Sequence, residues 1–376
     1  MNKKRKKIFL SILATFFFIC IAGAGTVYYY LFYPQFHPSK TTYIYIDRDD
    51  TTDSIFNKIR KQGNPHSFNG FKWMSHFREY SKNIHTGRYA IKPGDNTYQL
   101  YSRLSRGYQT PVNLTIGSVR TLDRLVRSVG KQLMIDSAEI AMALYDSIFL
   151  EKMGYTEATI PCLFIPETYQ VYWDVSAADF LARMKKEHDK FWNKDRLSKA
   201  QAIGMTPEEV CTLASIVEEE TNNNAEKPMV AGLYINRLHA GMPLQADPTI
   251  KFALQDFGLR RITNQHLDVQ SPYNTYLNAG LPPGPIRIPS PKGLDSVLNY
   301  VKHNYIYMCA KEDFSGTHNF ASNYADHMVN ARKYWKALNE RKIFKKLFKN
   351  YTIILLSMIL QKASWTIASA VSALNS

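Results

Sequence analysis

Apolar residues between positions 206 and 220 recur at the spacing of one buried helix face. They fall at i, i+3, i+4 and i+7, which is the pattern of an amphipathic helix: Val210, Leu213, Ala214 and Val217. Thr206 is a suitable N-cap, Pro207 suits the first helical position, and Glu209 completes a T-x-x-E capping box. The pattern therefore predicts a capped helix that ends in three consecutive acidic residues.

The acidic triplet Glu218-Glu219-Glu220 admits two interpretations. A run of charges is most often a solvated helix end. Helical periodicity, however, directs Glu219 towards solvent and leaves Glu218 and Glu220 on the two borders of the apolar stripe. A border carboxylate backed by apolar side chains has a raised pKa and can hold a proton near neutral pH. Periodicity does not choose between Glu218 and Glu220.

The N-terminus combines a basic cluster with a long apolar run. Residues 3–7 are all Lys or Arg, and residues 8–33 form a stretch of 26 residues without charge. About 20 apolar residues cross a bilayer, and flanking basic residues favour the cytoplasmic side. We predict a cytoplasmic tail (1–7), a single-pass transmembrane anchor (8–33) and an external remainder. A signal-peptidase site at 22–24 and a lipoprotein Cys20 are alternatives, but the apolar run continues past the first and Ile19 disfavours the second.

Strand and helix patterns alternate in the next segment. A strand at 43–46, a capped helix at 52–59, a strand and turn at 87–95 and a helix ending near Gly107 predict an α/β subdomain over residues 42–115. A helix-rich region follows from 121 to 203. As an isolated motif, Pro166-Glu167-Thr168 is typical of a helix start.

The net charge of +15 lies mostly at the chain ends. Residues 3–7 carry five positive charges, residues 341–376 carry six without any acid, and only +4 remains between them. Basic ends beside apolar segments favour a membrane surface over nucleic acid. The cysteines show no metal spacing, and Cys162, Cys211 and Cys309 are expected to be buried free thiols. We expect no metal and no cofactor.

Several short motifs follow the acidic helix in a fixed order. Each one alone has a plain structural interpretation as an exposed helix face, a turn or a stiff loop: Tyr234-Ile235-Asn236-Arg237-Leu238, Leu244-Gln245-Ala246-Asp247-Pro248-Thr249, Tyr273-Asn274-Thr275-Tyr276 and Gly280-Leu281-Pro282-Pro283-Gly284-Pro285. Together with the acidic helix they resemble the YceG-like family of endolytic murein transglycosylases. An earlier run at 164–169 is similar to a further motif of that family.

Beyond the predicted transmembrane helix, the resemblance implies an α+β fold with a LysM-like subdomain (42–115) and a mixed helical and strand catalytic domain (116–340). The resemblance ends near Tyr334-Trp335, so residues 341–376 are a basic and apolar C-terminal extension. The resemblance implies that Glu218, which follows the apolar pair Ile216-Val217, is the catalytic acid. It also implies substrate-binding or loop-ordering roles for Glu167, Asn236, Arg237, Gln245, Asp247, Tyr273 and Asn274. The LysM-like subdomain either binds glycan or only positions the catalytic part.

The implied reaction is the endolytic cleavage of peptidoglycan glycan strands to 1,6-anhydro-muramoyl ends, which terminates or trims nascent strands. The implied location is the bacterial inner (cytoplasmic) membrane, with the N-terminus in the cytoplasm and the catalytic domain outside, in the periplasm. Peptidoglycan synthases and the division or elongation machinery are the implied protein partners, and nucleic acid is not expected. Two alternatives stay open: a non-catalytic peptidoglycan-binding scaffold, and a two-carboxylate muramidase in which Asp247 is the second acid.

Overall fold

A computed structural model describes residues 3–259 and 261–342. The chain divides into two compact units, an N-terminal unit (1–189) and a C-terminal unit (190–376). The division falls inside the segment 116–340 that the sequence suggests as one domain. Most of the proposed C-terminal extension, from residue 343 onwards, lies outside the described residues.

The N-terminal unit begins with helix α1 (Lys3–Leu31). Within it, the 26 residues from Lys6 to Leu31 contain an 18-residue window with a mean hydropathy of 2.4, and no residue of that window is buried against protein. At about 1.5 Å per residue, such a helix is longer than the roughly 30 Å hydrocarbon core of a bilayer. Among the described residues it is the one helix long and apolar enough to cross a membrane.

The α/β subdomain is built around two antiparallel strands. Strand β1 (Thr42–Ile46) pairs with β2 (Gly87–Ile91), and Ile44 lies opposite Tyr89. Helices α2 (Thr52–Gly63), α3 (Asn69–Phe77) and α4 (Thr97–Ser105) accompany the pair, with a short 3₁₀ turn at Tyr80–Lys82. Their apolar faces share one fully buried core, which includes Ile46, Ile59, Phe71 and Leu100. The predicted strand–helix alternation over this segment is confirmed.

The remainder of the N-terminal unit is mostly helical. It contains α5 (Leu122–Gly130), α6 (Ser137–Tyr145), α7 (Ser147–Met153), a 3₁₀ turn (Ile160–Leu163) and all but the last two residues of α8 (Ala177–Phe191). Strands β3 (Val112–Thr115) and β4 (Thr168–Val171) pair antiparallel. The helix-start interpretation of Pro166-Glu167-Thr168 is wrong: Thr168 begins β4, because Thr115 and Leu114 supply ladder partners that the local sequence does not reveal.

The C-terminal unit is organised around one buried helix. After α9 (Lys194–Ala202), helix α10 (Pro207–Glu220) buries every residue from Val210 to Glu218 and packs against three later helices: α11 (Lys227–His239), α12 (Asp247–Ala253) and α14 (Pro291–Leu298). The predicted capping box is confirmed: the Thr206 hydroxyl accepts from the Glu209 amide, and the Glu209 carboxylate accepts from the Thr206 amide.

The rest of this unit has little regular secondary structure before its last helix. A brief helix α13 (Asn264–Leu267) precedes α14, and strands β5 (Tyr307–Ala310) and β6 (His318–Ala321) pair antiparallel. A last helix, α15, covers residues 324–342. Cys162 and Cys211 are buried free thiols as predicted, but Cys309 is only half-buried because it lies on the small β5–β6 hairpin.

Candidate active site

The carboxylate of Glu218 lies inside a dense network of hydrogen bonds. Its Oε1 is 3.0 Å from the buried Lys227 Nζ, and its Oε2 accepts from the Ser290 amide at 2.9 Å. The Ser290 hydroxyl also donates to Oε1, while it accepts from the Gly293 amide as the N-cap of α14. Glu218 is 7% exposed. It therefore ties α10 to the starts of α11 and α14.

This environment corrects the expected proton affinity of Glu218. Burial raises the pKa of this carboxyl, but the hydrogen bonds from Ser290 and Lys227 outweigh burial and hold the pKa below its usual range. The sequence predicted the opposite, because the donors lie 9 and 72 residues away. As placed here, Glu218 is an ionised member of a buried ion pair.

Glu219 is also placed differently from the prediction. Its side chain is only 11% exposed, and its Oε1 lies 3.0 Å from Arg287 Nη1. The expected direction towards solvent is wrong because the loop before α14 covers this side of α10.

Glu220 occupies a cleft of about 260 Å3 and is half-buried. Its Oε1 accepts a hydrogen bond of 2.7 Å from the Tyr234 hydroxyl. Burial raises the pKa of Glu220 to about 7, the Tyr234 hydrogen bond works against that rise, and the negative charge of Asp247 adds to it. Of the two border carboxylates, Glu220 is therefore the one whose pKa is raised.

A second carboxylate, that of Asp247, also lines the cleft. Asp247 is exposed at the start of α12, and its Oδ1 accepts from the Tyr276 hydroxyl at 2.5 Å. Gln245 is also exposed here and has a left-handed backbone with φ of 52°. The cleft therefore presents amide, phenol and carboxylate groups, which are suited to sugar hydroxyls.

One wall of the cleft comes from the β5–β6 hairpin. His318 and Cys309 line it, and the buried Glu226 holds His318 by accepting from its backbone amide at 2.6 Å and contacting its Nδ1 at 3.2 Å. Sequence analysis missed Tyr234, Tyr276 and His318 as site residues. The spacing of Tyr234 and Arg237, one turn apart on α11, was a usable signal for the first. No local pattern marks His318.

The side chains of Arg237 and Asn236 hold the loops around the cleft through hydrogen bonds to backbone carbonyls. Arg237 is 7% exposed and its guanidinium donates to the backbone carbonyls of Ile306 (2.6 Å), Leu244 (2.8 Å) and Pro243 (3.1 Å). The Asn236 amide donates to the carbonyls of His303 and Tyr305. Arg237 also lines the cleft, where its Nη1 donates to the side-chain oxygen of Gln245 at 3.3 Å.

The remaining predicted site residues lie in different surroundings. Asn274 is fully buried and donates to the carbonyls of Leu267 and Val269, so it orders its own loop. Tyr273 packs its ring against Phe252 at 4.7 Å. Glu167 belongs to the N-terminal unit, where it is exposed and accepts from the Thr168 amide. In the described part of the chain, no group of three or more His, Cys, Asp or Glu residues could hold a metal.

A chain with this helix, cleft and motif order falls in one protein family. The sequence profile of the YceG-like family matches residues 44–333, and the chain belongs to that family. A crystal structure of a yceG-like protein from Listeria monocytogenes superposes with a TM-score of 0.51 at 27% identity, covering 77% of this chain and 99% of that one.

Two curated relatives carry the name endolytic murein transglycosylase. The protein from Bacillus subtilis (strain 168) is 26% identical over 342 residues, which is 86% of this chain and 93% of its own length. The protein from Streptococcus pneumoniae (strain D39) is 28% identical over 296 residues, or 70% of this chain. This chain spans about half the length of the streptococcal relative, with 53% covered.

Proposed function

We propose that this chain is a membrane-anchored endolytic lytic transglycosylase that cleaves the glycan strands of peptidoglycan. Family membership and the names of its relatives support the reaction class. The observation that carries the proposal is the cleft in which the Glu220 carboxylate accepts from the Tyr234 hydroxyl at 2.7 Å beside Gln245, Asp247 and Tyr276. Burial raises the pKa of Glu220 to about 7, a value that suits a group that first donates and then accepts a proton.

The reaction needs one such group. The Glu220 carboxyl donates its proton to the glycosidic oxygen as the bond from that oxygen to C1 of the muramoyl residue breaks. The Glu220 carboxylate then takes the proton of the 6-hydroxyl of the same sugar, whose oxygen bonds to C1. The products are a 1,6-anhydro-muramoyl end and a new free hydroxyl, without consumption of water. Tyr234 donates to the carboxylate during the ionised stage.

The choice of Glu220 differs from the assignment that the family resemblance implies, which is Glu218. Three observations support it: Glu218 is paired with Lys227, it is tied to the N-cap of α14, and its pKa is lowered. A carboxylate held in this way has a weak tendency to take up a proton. We infer that Glu218 positions α11 and α14 around the cleft and that Glu220 performs the proton transfers.

Substitution of each acid distinguishes the two assignments. Glu220→Gln should lower the cleavage rate of isolated glycan strands by at least about a hundredfold, because the amide cannot transfer a proton, and should leave the unfolding temperature near the wild-type value. Glu218→Gln should destabilise the chain by about 3 kcal/mol, since it leaves Lys227 buried without its partner. A folded, inactive Glu218→Gln variant beside an active Glu220→Gln variant would restore the original assignment.

Product analysis separates this reaction from hydrolysis. Digestion in heavy-oxygen water should leave the new muramic ends unlabelled and in the anhydro form, because the sugar's own hydroxyl is the nucleophile. Asp247→Asn should only weaken cleavage. A two-carboxylate muramidase would incorporate one heavy oxygen per cut and would lose activity on Asp247→Asn. A non-catalytic scaffold would give no new ends.

We further propose that α1 is the anchor, with residues 1–7 in the cytoplasm and the rest of the chain outside the cytoplasmic membrane. The LysM-like character of residues 42–115 and its binding of glycan belong to the same proposal. The same proposal includes the release of nascent strands and an association with peptidoglycan synthases or the division machinery. The apolar character and length of α1 support the anchor.

A further inference from the structure

Helix α3 has apolar side chains both on its buried face and on its exposed side. Phe71 and Met74 point into the core of the α/β subdomain. Trp73 and Phe77, one turn apart on the other side, are 56% and 67% exposed, and their rings stack at 5.4 Å with an interplanar angle of 7°. A helix on the surface of a soluble subdomain carries polar residues on its outer face. The exposed rings of Trp73 and Phe77 therefore indicate that the outer face of α3 contacts an apolar surface.

The same helix lies directly against the end of α1. A Cβ added to Gly70 would come within 2.3 Å of the Tyr30 carbonyl oxygen, so the two helices touch through backbone. Trp73 shares an apolar groove of about 260 Å3 with Thr26, Val27 and Leu31 of α1. The stacked aromatic pair is therefore a continuation of the surface of α1.

The junction between α1 and the subdomain is held by several contacts. Gln35, which is 1% exposed, donates its side-chain amide to the Tyr29 carbonyl at 2.7 Å. Asn96 donates to the Phe32 carbonyl at 3.3 Å, and the rings of Phe32 and Tyr98 lie 5.7 Å apart. The position of α3 along α1 is thus fixed by the fold.

The length of α1 determines how deep in the membrane the contact between α1 and α3 lies. The uncharged stretch begins at Ile8, and about 20 residues at about 1.5 Å each cover the roughly 30 Å hydrocarbon core. Counted from Ile8, the outer boundary of that core falls near Val27. Trp73 lies beside Val27. Tryptophan prefers this boundary, where an apolar ring meets the headgroups.

The charges that flank the aromatic pair fit a phospholipid surface. Lys72 precedes Trp73, Arg78 follows Phe77, and both are exposed. The neighbouring acid, Glu79, forms an ion pair with Lys82 at 2.8 Å. When aromatic rings insert at the membrane interface, basic side chains next to them reach the lipid phosphates.

We propose that α3 is an interfacial membrane helix, with Trp73 and Phe77 inserted at the headgroup–acyl boundary of the outer leaflet beside α1. The proposal rests on α1 being a membrane anchor. It adds a second contact of the α/β subdomain with the bilayer, so that this subdomain is held on the membrane surface and does not swing about a single helix.

The test uses the full chain reconstituted in phosphatidylcholine–phosphatidylglycerol vesicles whose acyl chains are brominated near the headgroup. Bromine quenches only indoles within the bilayer. The emission lost to bromine, measured per mole of chain, should fall in Trp73→Phe by about the contribution of one indole, and should rise in Phe77→Trp. Trp173→Phe is the matched control: Trp173 belongs to the same unit and packs against Tyr45 of β1 at 5.0 Å. This control should lower the total emission but leave the emission lost to bromine unchanged.

Extraction with alkaline carbonate separates the two proposals. A chain that stays in the membrane but shows equal bromolipid quenching in the wild type, Trp73→Phe and Phe77→Trp would overturn the interfacial role of α3 and leave the anchor intact. Release of the wild-type chain by carbonate would overturn the anchor itself, and with it the inference. Because Phe77→Trp is a gain of signal at an exposed position, a folding defect cannot imitate the expected result.

Discussion

Three consecutive acids at the end of α10 have three different environments. Glu218 is locked to Lys227 and Ser290, Glu219 pairs with Arg287, and Glu220 meets Tyr234 in the cleft. Neighbouring residues on a helix are about 100° apart, so adjacent side chains meet different parts of the fold. Only one of the three combines burial with a surplus of negative charge nearby, and this combination raises its pKa.

The pH dependence of cleavage should report this group. In the proposed mechanism the acid form of Glu220 donates the first proton, so kcat/KM should be constant below a pH of about 7 and fall about tenfold per pH unit above it. The charge of Asp247 raises the pKa of Glu220, so Asp247→Asn should move this alkaline limb to lower pH. Its cost in rate at low pH should be about 1 kcal/mol, or roughly fivefold, for one hydrogen-bonding group.

Rate measurements on isolated glycan strands across the pH range provide the check. An alkaline limb that stays in place in Asp247→Asn, or one near pH 4 in the wild type, would contradict the assignment of Glu220.

The raised pKa of Glu220 also makes the stability of the folded chain depend on pH. The pKa of Glu220 is raised above its value in an unfolded chain, so the folded state binds a proton that the unfolded state releases. The contribution of Glu220 to stability is thus present at pH values below about 4.5 and is lost as the pH rises through about 7. Glu218 has the opposite sign, because its lowered pKa favours folding at the higher pH.

At the scale of elements, α10 and α14 are joined through one carboxylate and one glycine. Gly293 lies in the first turn of α14, and an added Cβ would come within 2.8 Å of Glu218 Cδ and 2.9 Å of its Cγ. Glu218 cannot swing away, since Lys227 and Ser290 hold both of its oxygens. The absence of a side chain at position 293 allows the two helices to approach.

Gly293→Ala should therefore destabilise the chain by about 1–3 kcal/mol, as overpacking of a filled site does. Helix propensity alone predicts the opposite, a gain of up to about 1 kcal/mol. The unfolding midpoint of the detergent-solubilised chain decides between these outcomes. Gly117→Ala is the control, because the nearest atom to its added Cβ is 4.0 Å away. A higher midpoint for Gly293→Ala would show that Glu218 is not fixed as described.

Elements with strong local signals could be predicted from the sequence. The capping box of α10, the apolar α1 and the strands β1 and β2 all depend on residues close together in the chain. The partners of Glu218 and the carbonyls that Arg237 binds could not be predicted, because they lie up to 72 residues away. For the same reason β4 was taken for a helix start: its identity depends on β3.

At the scale of the whole molecule, the charge is concentrated at the two ends. The basic residues 3–7 precede α1, and the basic run that begins at Arg341 follows the family match, which ends at 333. Helix α15 covers residues 324–342, and the Arg341 guanidinium lies 4.4 Å from the Phe314 ring centre. All the residues that line the cleft precede residue 342, since they lie between positions 220 and 318.

The segment 343–376 lies outside the described residues, so its role is argued from sequence alone. Its first apolar run, 351–360, has 10 residues and is too short to cross a bilayer. The longer stretch to 374 would bury Lys362 near mid-membrane, at a cost of about 2.5–3.5 kcal/mol on insertion scales. A span would also leave the basic run from Arg341 on the outer side, against the usual preference. A segment lying on the outer face of the membrane fits these constraints better.

Truncation after Lys342 should accordingly leave both cleavage and anchoring unchanged. The residues that line the proposed catalytic cleft lie between positions 220 and 318, and α1 supplies the proposed anchor, so neither loses a contact. Strand cleavage within about twofold of the full chain and resistance to carbonate extraction are the expected results. A C-terminal tag on the full chain should be accessible from outside the cell. Loss of cleavage in the truncated chain, or a tag reached only from the cytoplasm, would show that residues 343–376 span the membrane or support the fold of the C-terminal unit.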